Sequence, residues 1–180
     1  MKDFQYYKDC FLNLHTAKSK KIPAPHKPLL LLSIIDLVER GFITSNKIEL
    51  TDVLIRTFKT NAKRFIGNSI IFRPNIGQPF YHLQHEPFWS LIPVPHEDEL
   101  RLAAEGTYGY GPQKAVYSIK GLREKYKYAL IDYELFDLLK NADVRAKLRT
   151  ALISKYLSQQ PNTASPLTVL PLVVALSLIA

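Results

Sequence analysis

The stretch from Pro28 to Gly41 (Pro-Leu-Leu-Leu-Leu-Ser-Ile-Ile-Asp-Leu-Val-Glu-Arg-Gly) constrains this chain more than any other. Pro28 can take the first helical position, where its missing N–H costs nothing and its fixed φ suits a helix. Gly41 is placed to close that helix in a left-handed conformation. Leu29 to Leu32, Ile34, Ile35, Leu37 and Val38 make the segment apolar on nearly every face, so it belongs in the middle of a domain. His26 and Lys27 stand just before it. There the unpaired N–H groups and the positive end of the helix dipole point outward, so they are candidates for an anion site. The plainer reading is a proline-bounded helix start with two solvated side chains.

A chain of 180 residues can bury one substantial core, and a hydrophobic share of 47% is that of a globular protein. The single cysteine, Cys10, excludes a disulfide framework and a zinc ribbon. The N-terminus carries no long apolar run of the signal-peptide kind, so a cytoplasmic location is expected. A formal charge of +8 favours a polyanionic partner, although basic residues are spread along the whole sequence.

Phe4, Tyr7, Phe11 and Leu14 recur at helical spacing and predict an amphipathic first helix. Phe42-Ile43 and Ile48-Leu50 read as short strands around a Ser45-Asn46 turn. Thr51 is a good N-cap for a helix reaching about Phe65. That order admits a winged helix-turn-helix. Residues 70–72, 79–83 and 88–92 read as short strands, the last two as an antiparallel hairpin. Glu97–Ala104 reads as a short helix and Gly106–Pro112 as a loop. The region from Lys120 to Leu157 reads as helical in two pieces, with Asp132 and Asp143 as caps. Beyond a polar linker at 159–165, the fourteen residues from Leu167 to Ala180 are almost wholly apolar. They fall short of the roughly 20 needed to span a bilayer, so no membrane association is expected.

His82, His85 and His96, with Glu86, Glu97 and Asp98, invite a metal test. His82-x-x-His85 lacks the spacing of a helical His-Glu-x-x-His site, and on a strand the two rings would point to opposite faces. Structural histidines are the better reading, with no metal and no cofactor. The Gly106–Gly111 segment lacks the Gly-Lys-Ser/Thr ending of a phosphate loop, and no Gly-x-Ser-x-Gly elbow is present. No catalytic residues are assigned.

The block Ala24-Pro-His-Lys-Pro-Leu-Leu-Leu-Leu32 is followed about fifty residues later by Pro79-Phe-Tyr-His-Leu83 and Phe88-Trp89. Together they resemble the sulfur-binding domain of HNH-type, McrA-like restriction endonucleases, which reads phosphorothioate-modified DNA. Asp132–Leu139 and Arg145–Arg149 also look like the end of that domain, and the resemblance covers roughly residues 3 to 157. In the family a following HNH domain makes the cut. No His-Asn-His motif follows Leu157, so the resemblance implies a reader module without the cutting domain, with a nuclease domain or subunit as a further partner. The family holds the modified phosphate with basic and histidine side chains and the sulfur in a proline-lined apolar cup. Carried onto this sequence, those residues are His26, Lys27, Pro79, Tyr81 and His82, with Arg73 and Arg101 added for their charge and approximate position.

The expectation is therefore a mainly helical α+β single domain over residues 1–158 with a small antiparallel sheet or hairpin. Residues 159–180 form a linker and apolar tail. Its expected partner is double-stranded DNA carrying a phosphorothioate linkage, within a modification-dependent restriction system. Two other functions fit the sequence: a metal-dependent HNH-like nuclease using His82, His85 and their acidic neighbours, and a winged-helix-like DNA-binding regulator indifferent to sulfur.

Overall fold

The computed structural model describes residues 2–19, 22–67, 72–95 and 117–158. Within them it is mainly helical, with a small antiparallel sheet. Helix α1 (Phe4–Leu12) begins at Asp3, whose carboxylate accepts the Tyr6 N–H at 2.9 Å. A two-residue pairing follows, β1 (Lys18–Ser19) with β2 (Ile22–Pro23). Helix α2 (His26–Glu39) comes next. Every residue from Lys27 to Leu37 except Asp36 is buried, as its all-round apolar sequence requires. Helices α3 (Asp52–Ile66), α4 (Gly77–His82) and α7 (Ala142–Leu152) pack around it.

Sequence and structure agree closely at the C-terminal end of α2 and at both ends of α3. Helix α2 begins two residues earlier than expected, at His26, so that Pro28 is its third residue and His26 and Lys27 lie within its first turn. Gly41 has φ +73°, and the N–H groups of Phe42 and Ile43 both donate to the Leu37 carbonyl, closing α2. That closure turns the chain at the point where a strand was expected, and it leaves Phe42 57% exposed. The wing of a winged helix therefore does not form there. Thr51 caps α3 as expected, accepting the Leu54 N–H at 3.2 Å.

The three-stranded sheet has the order β3 (Lys47–Ile48), β5 (Tyr126–Ile131), β4 (Trp89–Pro93), antiparallel throughout. The expected hairpin of 79–83 with 88–92 is not formed. Residues 77–82 are helix α4, continued by a 3₁₀ turn over Leu83–His85, and β4 pairs instead with β5. The apolar period explains the difference. Ile76, Phe80 and Leu83 recur at i, i+4 and i+7 and are all buried, a helical pattern carried by strand-favouring residue types. The converse holds for β5, which lies where helix was expected. Ala129 and Ile131 are buried, while Tyr128 and Leu130 on the other face are only partly covered, a period of two over the last four residues of the strand. Helix α5 (Ile119–Lys125) precedes β5, and α6 (Tyr133–Leu139) follows it. Asn141, not Asp143, caps α7, accepting the N–H groups of Asp143 and Val144. Asp132 stands at the start of α6, but its carboxylate instead accepts the Lys2 ammonium and the Tyr7 hydroxyl.

Several polar groups around α2 are paired, whereas Trp89 Nε1 and Arg145 Nε are buried without a hydrogen-bond partner among the described residues. Ser33 Oγ donates to the Leu29 carbonyl, and Asn61 Nδ2 donates to Ser33 Oγ and to Asp36. Arg149 joins the same chain from α7 through Asp36 and Glu39, each at 2.9 Å. This network ties α2 to α3 and α7, as burial of polar side chains demands. It leaves the N-terminal end of α2 to face α4. Gly77 sets the approach of α4, because a Cβ on it would meet the Tyr117 carbonyl oxygen at 1.9 Å. The positions expected as a helix at 97–104, a loop at 106–112 and an apolar tail lie outside the described residues. So do residues 70 and 71 of the first expected strand. No helix among the described residues is long and apolar enough to cross a membrane.

Candidate functional site

The first turn of α2 and the inner side of α4 enclose a cavity of about 240 Å³. His26 and Lys27 line it from α2. Gln78, Pro79 and His82 line it from α4, His85 from the 3₁₀ turn, and His15, Thr16, Ala17 and Ala24 from the chain before α2. Four imidazoles thus ring a space whose remaining walls include Pro79, Ala17 and Ala24. Pro25 stands at the N-cap of α2, where no side chain caps the helix.

Each ring is held by a definable contact. His26 donates through Nε2 to the Arg73 carbonyl at 2.9 Å and packs edge-on against Phe72, 5.9 Å between centroids. His82 and His85 stack with planes 23° apart and centroids 5.8 Å apart. Their i, i+3 spacing falls where the helix tightens to 3₁₀, which places such side chains nearly one above the other. They therefore share a face, rather than opposing one another as on a strand. His82 also leans on Tyr117, with centroids 5.2 Å apart. Burial, then the nearby His85 and Lys27 charges, hold the His82 imidazole below the usual histidine range. That environment favours the neutral ring.

Lys27 is only 7% exposed, and its ammonium lies 2.5 Å from Glu86 Oε1. Glu86, 3% exposed, also accepts the His15 backbone N–H at 3.0 Å on the same oxygen, and its Oε2 meets His15 Nδ1 at 3.2 Å. One buried carboxylate therefore ties the segment after α1, the start of α2 and the end of the 3₁₀ turn to a common point. A buried lysine and a buried glutamate tolerate each other only as a pair, since either alone carries a severe desolvation cost.

Four of the sequence-derived residues, His26, Lys27, Pro79 and His82, meet at this cavity. Two others do not. Tyr81 packs against Tyr117 and Tyr126 at centroid distances of 5.7 and 6.2 Å, outside the cavity lining. It is placed there because the helix rotates position 81 away from the face that carries 78, 79 and 82. Arg73 is exposed and contributes its carbonyl, not its guanidinium, to the site. Arg101 lies outside the described residues. In the sequence His15 gives no signal as a site residue, and Glu86 and His85 stand out only as metal candidates, not as parts of an anion site. A signal for Glu86 did exist: a lone acid between Leu83 and Phe88-Trp89 needs a cation, and Lys27 is the one cation inside an apolar helix. Among the described residues no group of three or more His, Cys, Asp and Glu side chains is arranged to hold a metal.

No protein-family model matches this chain, and no curated protein matches it.

Proposed function

We propose that the protein binds double-stranded DNA and prefers a phosphorothioate linkage, acting as the reader module of a modification-dependent restriction system in which a nuclease domain or subunit does the cutting. What supports this reading is the meeting of His26, Lys27, Pro79 and His82 around one cavity of about 240 Å³, although Lys27 and Pro79 are 52 positions apart in the sequence. Replacing one non-bridging oxygen by sulfur keeps the charge but supplies a larger, more polarizable and poorly hydrated atom. A wall of Pro79, Ala17 and Ala24 suits that atom. Apolar transfer and dispersion there contribute about 1–3 kcal/mol, a preference of about five- to 150-fold. The imidazoles and the start of α2 supply donors for the remaining oxygens.

The rest of the duplex needs only a basic surface. On α3 the outward positions Arg56, Lys59, Lys63 and Arg64 are all exposed, and the whole chain carries +8. Such a surface binds backbone phosphates without reading sequence.

The histidines provide a direct test. Titrating a short duplex with one phosphorothioate into the protein should shift the imidazole C–H resonances of His26, His82 and His85 in a saturable way. Saturable DNA binding that leaves all three resonances in place would put the DNA elsewhere on the molecule.

A further inference from the structure

We infer that Glu86 is a specificity-determining residue: by cancelling the charge of Lys27 it keeps the cavity from rewarding an ordinary phosphate oxygen. This rests on the DNA-binding reading above and assigns a role to a residue that touches no DNA.

The two linkages bear the same charge, so a naked cation at the cavity attracts both. It helps oxygen more. Oxygen's charge is concentrated and its hydration strong, and a bare ammonium at close range is what would offset the loss of that hydration. Sulfur gives up less on leaving water and needs less compensation. A cavity held near electrical neutrality therefore sorts the two atoms by desolvation, which favours sulfur. Lys27 and Glu86 have that arrangement, both buried, with the ammonium 2.5 Å from the carboxylate. His15 faces the same carboxylate at 3.2 Å, and among the described residues His26, His82 and His85 are the other titratable groups around the space. The remaining described side chains lining it are uncharged. Charge is thus concentrated in one compensated pair, and removing the acid leaves Lys27 uncompensated.

Glu86→Gln keeps the shape and a hydrogen-bonding oxygen while removing the charge. Binding is measured with two duplexes identical except for one linkage, across a salt series. Glu86→Gln should tighten the unmodified duplex by about tenfold and the modified one by less, narrowing the preference. The slope of log affinity on log salt should steepen by about one unit. The double variant Lys27→Gln/Glu86→Gln should lose that added unit again, because the uncovered charge is Lys27's own. Should Glu86→Gln not fold, Lys27→Gln moves the cavity charge the other way. It should then widen the ratio between the duplexes while weakening both. Folded variants that leave the wild-type ratio unmoved would show Glu86 to be a structural tie only, with the DNA-binding reading intact. A wild-type protein that binds neither duplex overturns that reading and the role of Glu86 with it.

Discussion

His26 donates through Nε2 to the Arg73 carbonyl at 2.9 Å, so the first residue of α2 is fastened to the chain leading into α4. That bond places a proton on Nε2, so Nδ1 is an acceptor in the neutral ring and donates to a phosphate oxygen only in the imidazolium form. It also makes the cavity a joint property of two helices that the sequence keeps far apart. Substituting Asn for His26 removes the ring and its contact with Phe72. Affinity for both duplexes should fall by about tenfold, the scale of one charge-assisted or well-placed hydrogen bond. Titration calorimetry checks this, and full affinity in His26→Asn would remove the ring from the site.

The sulfur wall is tested at Pro79. It is buried at the third position of α4, where a proline interrupts no helical hydrogen bond. Pro79→Ala deletes two methylenes, worth up to about 0.8 kcal/mol each if fully lost to the ligand. The preference for the modified duplex should drop by up to about tenfold, with little change in affinity for the unmodified one. Parallel titrations of both duplexes give the answer.

His82 sets a pH dependence whose sign follows from its burial. Its folded-state pKa lies below the ordinary histidine value of about 6.5. The unfolded chain therefore takes up a proton first as pH falls. Stability contributed by neutral His82 is complete above about pH 6.5 and is lost as pH drops through the lower folded value. Thermal unfolding followed from pH 8 to pH 5 should show this loss, and His82→Gln should show less of it. An anion in the cavity favours the protonated ring, so DNA affinity should rise over the same interval.

Gly77 carries a steric prediction. A methyl group there would meet the Tyr117 carbonyl oxygen at 1.9 Å, and backbone on both sides limits relief. Gly77→Ala should cost about 1–3 kcal/mol, the usual range for overpacking a tight contact. It should also weaken DNA binding by shifting α4. Chemical denaturation and a binding titration on the same sample read both effects.

Asn61 tests the core independently of the site. It is 6% exposed, and its amide joins Ser33 of α2 to Asp36. Asn61→Leu leaves Ser33 and Asp36 short of a donor and should cost about 1–3 kcal/mol. The ratio of affinities for the two duplexes should not move, since Asn61 does not line the cavity.

How much of this was legible in the sequence depended on how local its cause is. The apolar circumference of α2, its closure at Gly41 and the Thr51 cap are set by neighbours within a few residues, and all three formed. The α4 and β5 segments misled because residue type and apolar period disagreed. Pro79-Phe80-Tyr81 favours strand by composition, yet Ile76, Phe80 and Leu83 needed one buried face and could obtain it only as a helix. Tyr126–Ile131 sits between helices, and only pairing with both β3 and β4 makes it a strand. The site was half visible. His26 and Lys27 announced themselves by standing at the start of an apolar helix, whereas Glu86, 59 positions beyond Lys27, acquires meaning only once the fold brings the two together.

The central claim is that the cavity between α2 and α4 distinguishes sulfur from oxygen on a DNA backbone. Competition binding tests it most directly: a labelled modified duplex displaced by unlabelled duplexes of the same sequence, with and without the single phosphorothioate. The modified competitor should displace the label at a concentration tens-fold lower than the unmodified one. Equal displacement by the two would contradict the account.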